Sequence, residues 1–259
     1  MEIKLIPVLS DNYIFLLHDP LRHEAVVIDP ALADPVLVQL SIWGARLTAI
    51  WNTHHHGDHV GGNRDLIRAF PDLVVYGSQY DVTLGRIPGG TVSLKEGDRV
   101  EFAKCCADVM HVPGHTLGHL AYYFPPGTAS AQGDLFCGDT LFAGGCGRLF
   151  EGSAAQMLIA LNRFRHLPPQ TRLWCAHEYT LNNLRFALTL EPDHPALNHR
   201  LATVQALRSV GSATIPSTLD VELQTNPFLR WDSLALMQAV HCQEPLATFA
   251  EIRHRKDRF

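Results

Sequence analysis

The segment Thr53-His54-His55-His56-Gly57-Asp58-His59 concentrates donors for a metal cation. Imidazoles and a carboxylate this close together are costly to bury without partners, so core packing does not account for them. Cation binding does. The pattern H-x-H-x-D-H also gives a reason for its spacing. A short apolar run, Leu47–Trp51, reads as a strand that delivers the chain into the cluster. Past its end, the alternate residues His54 and His56 point one way and His55 points off between them. Beyond the small Gly57, Asp58 and His59 can turn toward a second point, so that one loop feeds two ions.

Two ions need more donors, and the chain offers them at three places, each just past a predicted strand. Val112-Pro113-Gly114-His115-Thr116-Leu117-Gly118-His119 is the first, Phe136-Cys137-Gly138-Asp139-Thr140 the second, and Leu173-Trp174-Cys175-Ala176-His177-Glu178 the third. Ligands carried on the ends of strands sit on a rigid scaffold. Imidazole and carboxylate without thiolate suit zinc, iron or manganese and do not choose among them.

The elements that must position these donors follow from pattern and punctuation. Lys4–Val8, Tyr13–Leu17 and Ala25–Ile28 read as strands, Asp34 caps a helix to about Trp43, and Asn63–Phe70 has helical spacing. Leu73–Tyr76, Val100–Phe102, Ala107–Val112, Leu120–Phe124 and Leu135–Cys137 continue the strands. Ala154–His166 is helical and Leu173–Cys175 is a last short strand. Beyond about residue 178 the character changes. Leu181–Glu191, Pro195–Val210, Ser233–Cys242 and Leu246–His254 have helical periodicity, and Leu219–Leu223 alone looks extended. Strands with helices, then helices almost alone, imply two structural units with a boundary near residue 177.

Bulk properties narrow the class. The chain has 259 residues, 46% of them hydrophobic, which is enough for a packed core. Its formal charge of −5 comes with no basic face for nucleic acid. No apolar run is long enough to span a bilayer, and the N-terminus lacks the layout of a signal or transit peptide. Six cysteines without CxxC spacing read as reduced thiols in a cytoplasmic protein. Arg253, Arg255, Lys256 and Arg258 make the C-terminus basic, which on charge alone reads as a solvated end.

These motifs resemble the metallo-β-lactamase superfamily, and within it the glyoxalase II family of hydroxyacylglutathione hydrolases. T-H-H-H-G-D-H and P-G-H-T-x-G-H carry the wider resemblance. G-D-T-L-F belongs to the same resemblance, and H-E-Y-T-x-N-N-L-x-F-A, the helical second unit and the terminal R-x-x-K-D-R-F carry the narrower one. The resemblance implies an α/β fold, a metallo-β-lactamase αββα sandwich followed by a smaller α-helical C-terminal domain. A dinuclear metal domain over 1–177 and a glutathione-binding domain over 178–259 follow from it. His54, His56 and His115 would bind one ion, Asp58, His59 and His177 the other, and Asp139 would bridge them. Zinc is the expected metal, with iron or manganese as alternatives. His119 would support rather than bind.

The implied reaction is hydrolysis of S-(2-hydroxyacyl)glutathione, chiefly S-D-lactoylglutathione, to glutathione and D-lactate, the second step of methylglyoxal detoxification. A metal-bridging hydroxide attacks the thioester and Asp58 is a candidate acceptor for its proton. By the same resemblance Arg253 and Lys256 hold the glycine carboxylate of glutathione, and their i, i+3 spacing puts both on one helical face. Tyr179 would bond the peptide portion, and Arg148 fills a position where the family has Lys or Arg. Two residues depart from the family pattern. Phe150 stands where Tyr is common, removing a hydroxyl contact worth about 0.5–1.5 kcal/mol net. Ala176 stands where glycine commonly precedes the ligand histidine, and it is expected to be tolerated. A β-lactamase, a nuclease, a glutathione persulfide dioxygenase and an inactive binding protein are the rival readings. The expected partner is the small-molecule thioester, with neither nucleic acid nor membrane, and the expected state is a monomer.

Overall fold

The computed structural model describes all 259 residues. Its contacts divide the chain into two compact units, Met1–His111 with Gly118–Gly138, and Val112–Leu117 with Asp139–Phe259. Compactness thus groups the chain differently from the change in sequence character near residue 177. Short strand-end segments are shared out by what they pack on rather than by their place in the chain.

The first unit begins with an antiparallel meander. Glu2–Val8 pairs with Asn12–Asp19, which pairs with Glu24–Ile28. Parallel pairing then takes over, through Arg46–Trp51, Val74–Ser78 and Val92–Leu94. Parallel neighbours need crossovers, and the helices Asp34–Trp43 and Asn63–Ala69 lie in the first two of these connections. A second, antiparallel run comprises Arg99–Phe102, Cys105–His111, Leu120–Phe124 and Asp134–Gly138. Every residue of Asn12–Asp19 is buried. Rings from the two sets of strands meet between them, Phe15 on Phe136 at 5.4 Å and Trp51 on Tyr122 at 5.3 Å, in the offset geometries aromatic pairs prefer. A further cluster around Val27, Ile50, Leu66 and Val75 fills the space under the helices.

The second unit is mainly helical. Ser153 opens the helix Ala154–Arg165 with a capping box, its hydroxyl accepting from Gln156 N while Gln156 Oε1 accepts from Ser153 N. Arg172–Cys175 pairs antiparallel with Ser217–Thr218. Leu184, Ala187, Leu197 and Val204 join the helices Thr180–Leu190 and Pro195–Ser209. Phe228 and Trp231 pack on Phe249 of the terminal helix Pro245–Asp257.

Most expected elements are found to within a residue or two, with three corrections. Asp34 does not cap its helix; Ala33 holds that position and Asp34 begins the first turn. The helix expected over Ser233–Cys242 is confined to Leu234–Ala239. Leu219–Leu223 is not extended but lies in the helix Leu219–Thr225. Its buried positions Leu219, Glu222 and Thr225 recur every three residues, and one of them is charged, so apolar patterning misses the period. Glu222 is fully buried because it has partners. Its carboxylate accepts from Gly144 N at 2.7 Å, Asn226 Nδ2 at 3.1 Å, Ser217 Oγ and the buried Arg200 guanidinium. Glu222→Ala strands that guanidinium and is expected to lower stability by about 3–5 kcal/mol, measured by urea unfolding. Replacing Arg200 and Glu222 together with apolar residues should cost less.

Candidate metal centre

In the first unit the strand Arg46–Trp51 ends where expected, and Asn52 and Thr53 lead into the histidines. A single-turn helix, Gly57–Val60, then turns Asp58 and His59 away from the line of His54 and His56. Asp29 organises this loop. It follows the strand Glu24–Ile28, has φ +50°, and is 2% exposed. Its Oδ1 accepts from Thr53 N at 2.7 Å, and its Oδ2 accepts from Thr53 Oγ1 at 2.6 Å and lies 3.0 Å from His59 Nδ1. A carboxylate only accepts, so His59 carries its proton on Nδ1 and presents Nε2 as a lone pair. Thr53 Oγ1, having given its hydrogen to Asp29, accepts from His54 Nδ1 at 3.1 Å and leaves His54 Nε2 in the same state. Asp29, His54 and His59 themselves form a group of metal-binding size. The bonds to Thr53 and His59 occupy both oxygens of Asp29, so it is engaged in supporting the two imidazoles.

Asp58 is held by Asn12, whose amide donates to Oδ2 at 3.0 Å and to the Asp58 carbonyl at 3.3 Å. His119 is fully buried and stacks on His54 with ring centroids 4.6 Å apart. His55 sets its ring edge-on to His56 at 5.0 Å and directs its Nδ1 to within 3.2 Å of Asp81 Oδ1.

In the second unit Asp139 stands between two imidazoles. Its Oδ2 is 3.4 Å from His115 Nε2 and its Oδ1 is 3.3 Å from His177 Nε2. His115 Nδ1 is 2.9 Å from the Arg148 carbonyl, which fixes the proton on Nδ1 and the lone pair on Nε2. Gly138, at φ +48°, turns the chain just before Asp139; a Cβ there would come 2.8 Å from His119 Cε1. Ala176 is not among the residues of positive φ, so its methyl group brings no backbone strain.

Donor spacing tests the fit to a cation. Nitrogens about 2.0–2.1 Å from a tetrahedral zinc ion lie roughly 3.3 Å from one another. His54 Nε2 and His56 Nδ1 are 3.1 Å apart, and Asp139 keeps 3.3 and 3.4 Å to its two histidines. Buried and half-buried nitrogens and oxygens at these separations fit a metal.

One cavity of about 430 Å³ in the second unit is lined by His115 and Asp139 together with Arg148, Phe150, Tyr179, Arg253 and Lys256. All five residues expected to hold substrate therefore share one space. Their freedom differs. Arg253 is 4% exposed; Nη1 donates to the Cys146 carbonyl at 2.7 Å, while Nε and Nη2 reach Asp257 Oδ1 at 3.1 and 3.0 Å. Arg148 extends over the surface with its Nε 3.8 Å from the same Asp257 oxygen. Lys256 lies over the Phe186 and Phe259 rings with Nζ 3.4 Å from the Asn182 carbonyl. Burial, and then the charges of Arg253 and Arg148, push its pKa down to about 8. Tyr179 stacks on His177 at 4.7 Å, and Phe150 sets its ring edge-on to His115 at 5.2 Å. Cys146, also in the wall, is a free thiol that burial pushes up to about 11, which keeps it protonated.

Sequence reasoning missed Asp29 and Asn12. Both carry a faint signal, a polar residue at the edge of an apolar strand, but neither has a motif of its own. Asn182 and Asn183, also in the cavity wall, lie inside the H-E-Y-T-x-N-N segment without having been given a role.

The chain is similar to known proteins along its whole length. The profile of the metallo-beta-lactamase superfamily matches residues 12–177, and that of the hydroxyacylglutathione hydrolase C-terminus matches residues 178–259. A hydroxyacylglutathione hydrolase of Gloeothece citriformis is 58% identical over 259 residues, covering 100% of both chains. Among solved structures, TTHA1623 in a di-iron-bound form is 27% identical with a TM-score of 0.61, over 88% of this chain and 100% of that one. The BLEG-1 B3 metallo-beta-lactamase, 22% identical with a TM-score of 0.66 over 88% of this chain and 100% of its own, shares the fold.

Replacing Asp29 by Ala removes the acceptor shared by Thr53 and His59. Metal affinity is expected to fall about 10–100-fold, read by competition with a chromophoric chelator. Asp29→Asn, which keeps one acceptor and tolerates the positive φ, should lose less.

Proposed function

The chain belongs to the hydroxyacylglutathione hydrolases of the metallo-beta-lactamase superfamily, and we propose that it hydrolyses S-(2-hydroxyacyl)glutathione, chiefly S-D-lactoylglutathione. The observation that carries this reading is the shared cavity. Metal-type donors, His115 and Asp139, open onto the same space as a cluster of cations suited to an anionic peptide.

The proposed ligand sets are His54, His56 and His115 for one ion and Asp58, His59 and His177 for the other, with Asp139 common to both. The two oxygens of Asp139, each directed at a different histidine, support its shared role. Zinc is the proposed metal. Held by these residues, two divalent ions would supply activated water near neutral pH and polarise a carbonyl. What the chain's own residues contribute is orientation. Asn12 holds Asp58 through Oδ2, where that carboxylate is placed to accept a proton. The leaving thiolate of glutathione needs little help from a general acid.

Within the proposed 178–259 glutathione-binding domain, Lys256 is the cation best able to meet a substrate carboxylate. Arg253, whose guanidinium is largely committed to Cys146 and Asp257, gives its positive charge and fixes the helix from which Lys256 projects. Arg148 adds a second reachable charge at the rim, and Tyr179 offers its hydroxyl to the peptide. No helix of the chain is long and apolar enough to cross a membrane. All six cysteines are free, which supports a reducing, cytoplasmic setting.

Metal-replete protein is expected to bleach the thioester absorbance of S-D-lactoylglutathione, to stop when a chelator strips the ions, and to recover on adding zinc. Oxygen uptake with glutathione persulfide, without thioester cleavage, would overturn the reading. A second expectation follows from Lys256. With its pKa near 8, its charge is complete well below that pH and is lost above it. KM for the thioester should therefore rise with pH through about 8 while kcat changes less. Lys256→Met should raise KM about ten-fold at pH 7 and flatten the dependence, as loss of a charged hydrogen bond predicts.

A further inference from the structure

The middle histidine of the cluster, and the second glycine of the P-G-H-T-L-G-H segment, take no part in the proposed chemistry. They meet at one buried carboxylate. Asp81 lies on the short helix Gln79–Thr83 and is 0% exposed. Its Oδ2 accepts from Ser78 Oγ at 3.1 Å, and Ser78 Oγ in turn accepts from Asp81 N at 3.1 Å. Its Oδ1 lies 3.2 Å from His55 Nδ1 and 3.7 Å from Arg86 Nη1. Gly118 packs straight onto this group; a Cβ there would come 2.6 Å from both Asp81 Cγ and Ser78 Oγ.

Burying a carboxylate is unfavourable unless its partners are fixed, and here they include the residue between His54 and His56. A hold on His55 sets the path of the backbone on either side of it. The same carboxylate, through its close contact with Gly118, sets the position of His119, whose ring stacks on His54 at 4.6 Å. His54 is thus gripped from its neighbour in sequence and from the face of its ring by elements that share one anchor. Arg86 offsets the charge from the side nearer solvent.

We propose that Asp81 is a positioning residue for the first ion, holding His55 and Gly118 so that His54 and His56 face the metal together. The proposal rests on the ligand sets given above. It concerns metal affinity rather than substrate and predicts a selective effect, because Asp58 and His59 are anchored separately, through Asn12 and Asp29.

The experiment is zinc titration of apo-protein against a chromophoric chelator, with circular dichroism and apo-protein melting as controls. Asp81→Ala should weaken one of two bound zinc ions about 10–100-fold and leave the other within a few-fold. Asp81→Asn keeps an oxygen toward His55 and should recover much of the loss. Gly118→Ala, which pushes on the carboxylate without removing charge, should reproduce the selective loss, and less so when Asp81 is already Ala. Should Asp81→Ala fail to fold, His55→Leu removes the same link from its more exposed end and should show the same one-ion loss. Unchanged affinity for both ions in folded variants, or equal loss of both with a matching fall in apo-protein melting temperature, would overturn the proposal. Failure of the wild-type protein to cleave the thioester, with the one-ion effect intact, would count against the hydrolase reading alone.

Discussion

Imidazoles that are to face a cation must be buried with one nitrogen bare, and that is unfavourable unless the other nitrogen is held. This constraint shapes the site more than any other. Asp29 meets it for two histidines at once, directly for His59 and through the Thr53 hydroxyl for His54. The Arg148 carbonyl meets it for His115. Each support is a strand end or a loop whose own backbone is pinned. Asp29 has the unusual φ of +50°, and both of its oxygens are engaged.

The two units solve different problems by different means. In the first, parallel and antiparallel strands bury large rings between them, and this stiff layer fixes the ends from which the ligand loop departs. In the second, helices bury polar groups as well as apolar ones. Glu222 and Arg200 neutralise one another beneath the surface, and Asn226 ties them to the paired segments Leu141–Phe142 and Gly145–Cys146 through the carbonyls of Phe142 and Gly145. Such networks hold only when complete, which is why a charged residue can occupy a core position in a helix with little apolar pattern.

Charge is distributed with similar economy. The chain is acidic overall, at −5, yet its cavity is basic. Asp257 takes contacts from both Arg253 and Arg148 through one oxygen, so the two guanidinium groups stay near each other. Burial, and then the repulsion of those two guanidinium groups, lowers the pKa of Lys256, while the faces of Phe186 and Phe259 lie beside its ammonium group. A cation poised near its own titration point gains more from meeting an anion than one already paired.

The H-x-H-x-D-H loop, the strand that feeds it and the later donors His115, Asp139 and His177 were all legible in the sequence. Their chemistry depends on residue type, and their spacing follows from the local geometry of a strand end. Most elements were legible for the same reason, since apolar period is a local property. The helix Leu219–Thr225 was not, because its buried positions include Glu222, whose burial depends on partners from distant segments. Asp29 and Asn12 carried only a faint signal, and Asp81 none. A single polar residue beside a strand has no assignable role until the chain brings its partners within hydrogen-bond reach. The sequence by itself determined which groups could bind metal and which family they belong to. Tertiary structure alone decided which nitrogen His54, His59 and His115 present, that Arg253 is largely spoken for while Lys256 is poised, and which buried carboxylates stand beside the histidines. Tautomer, desolvation and pairing are set by neighbours in space.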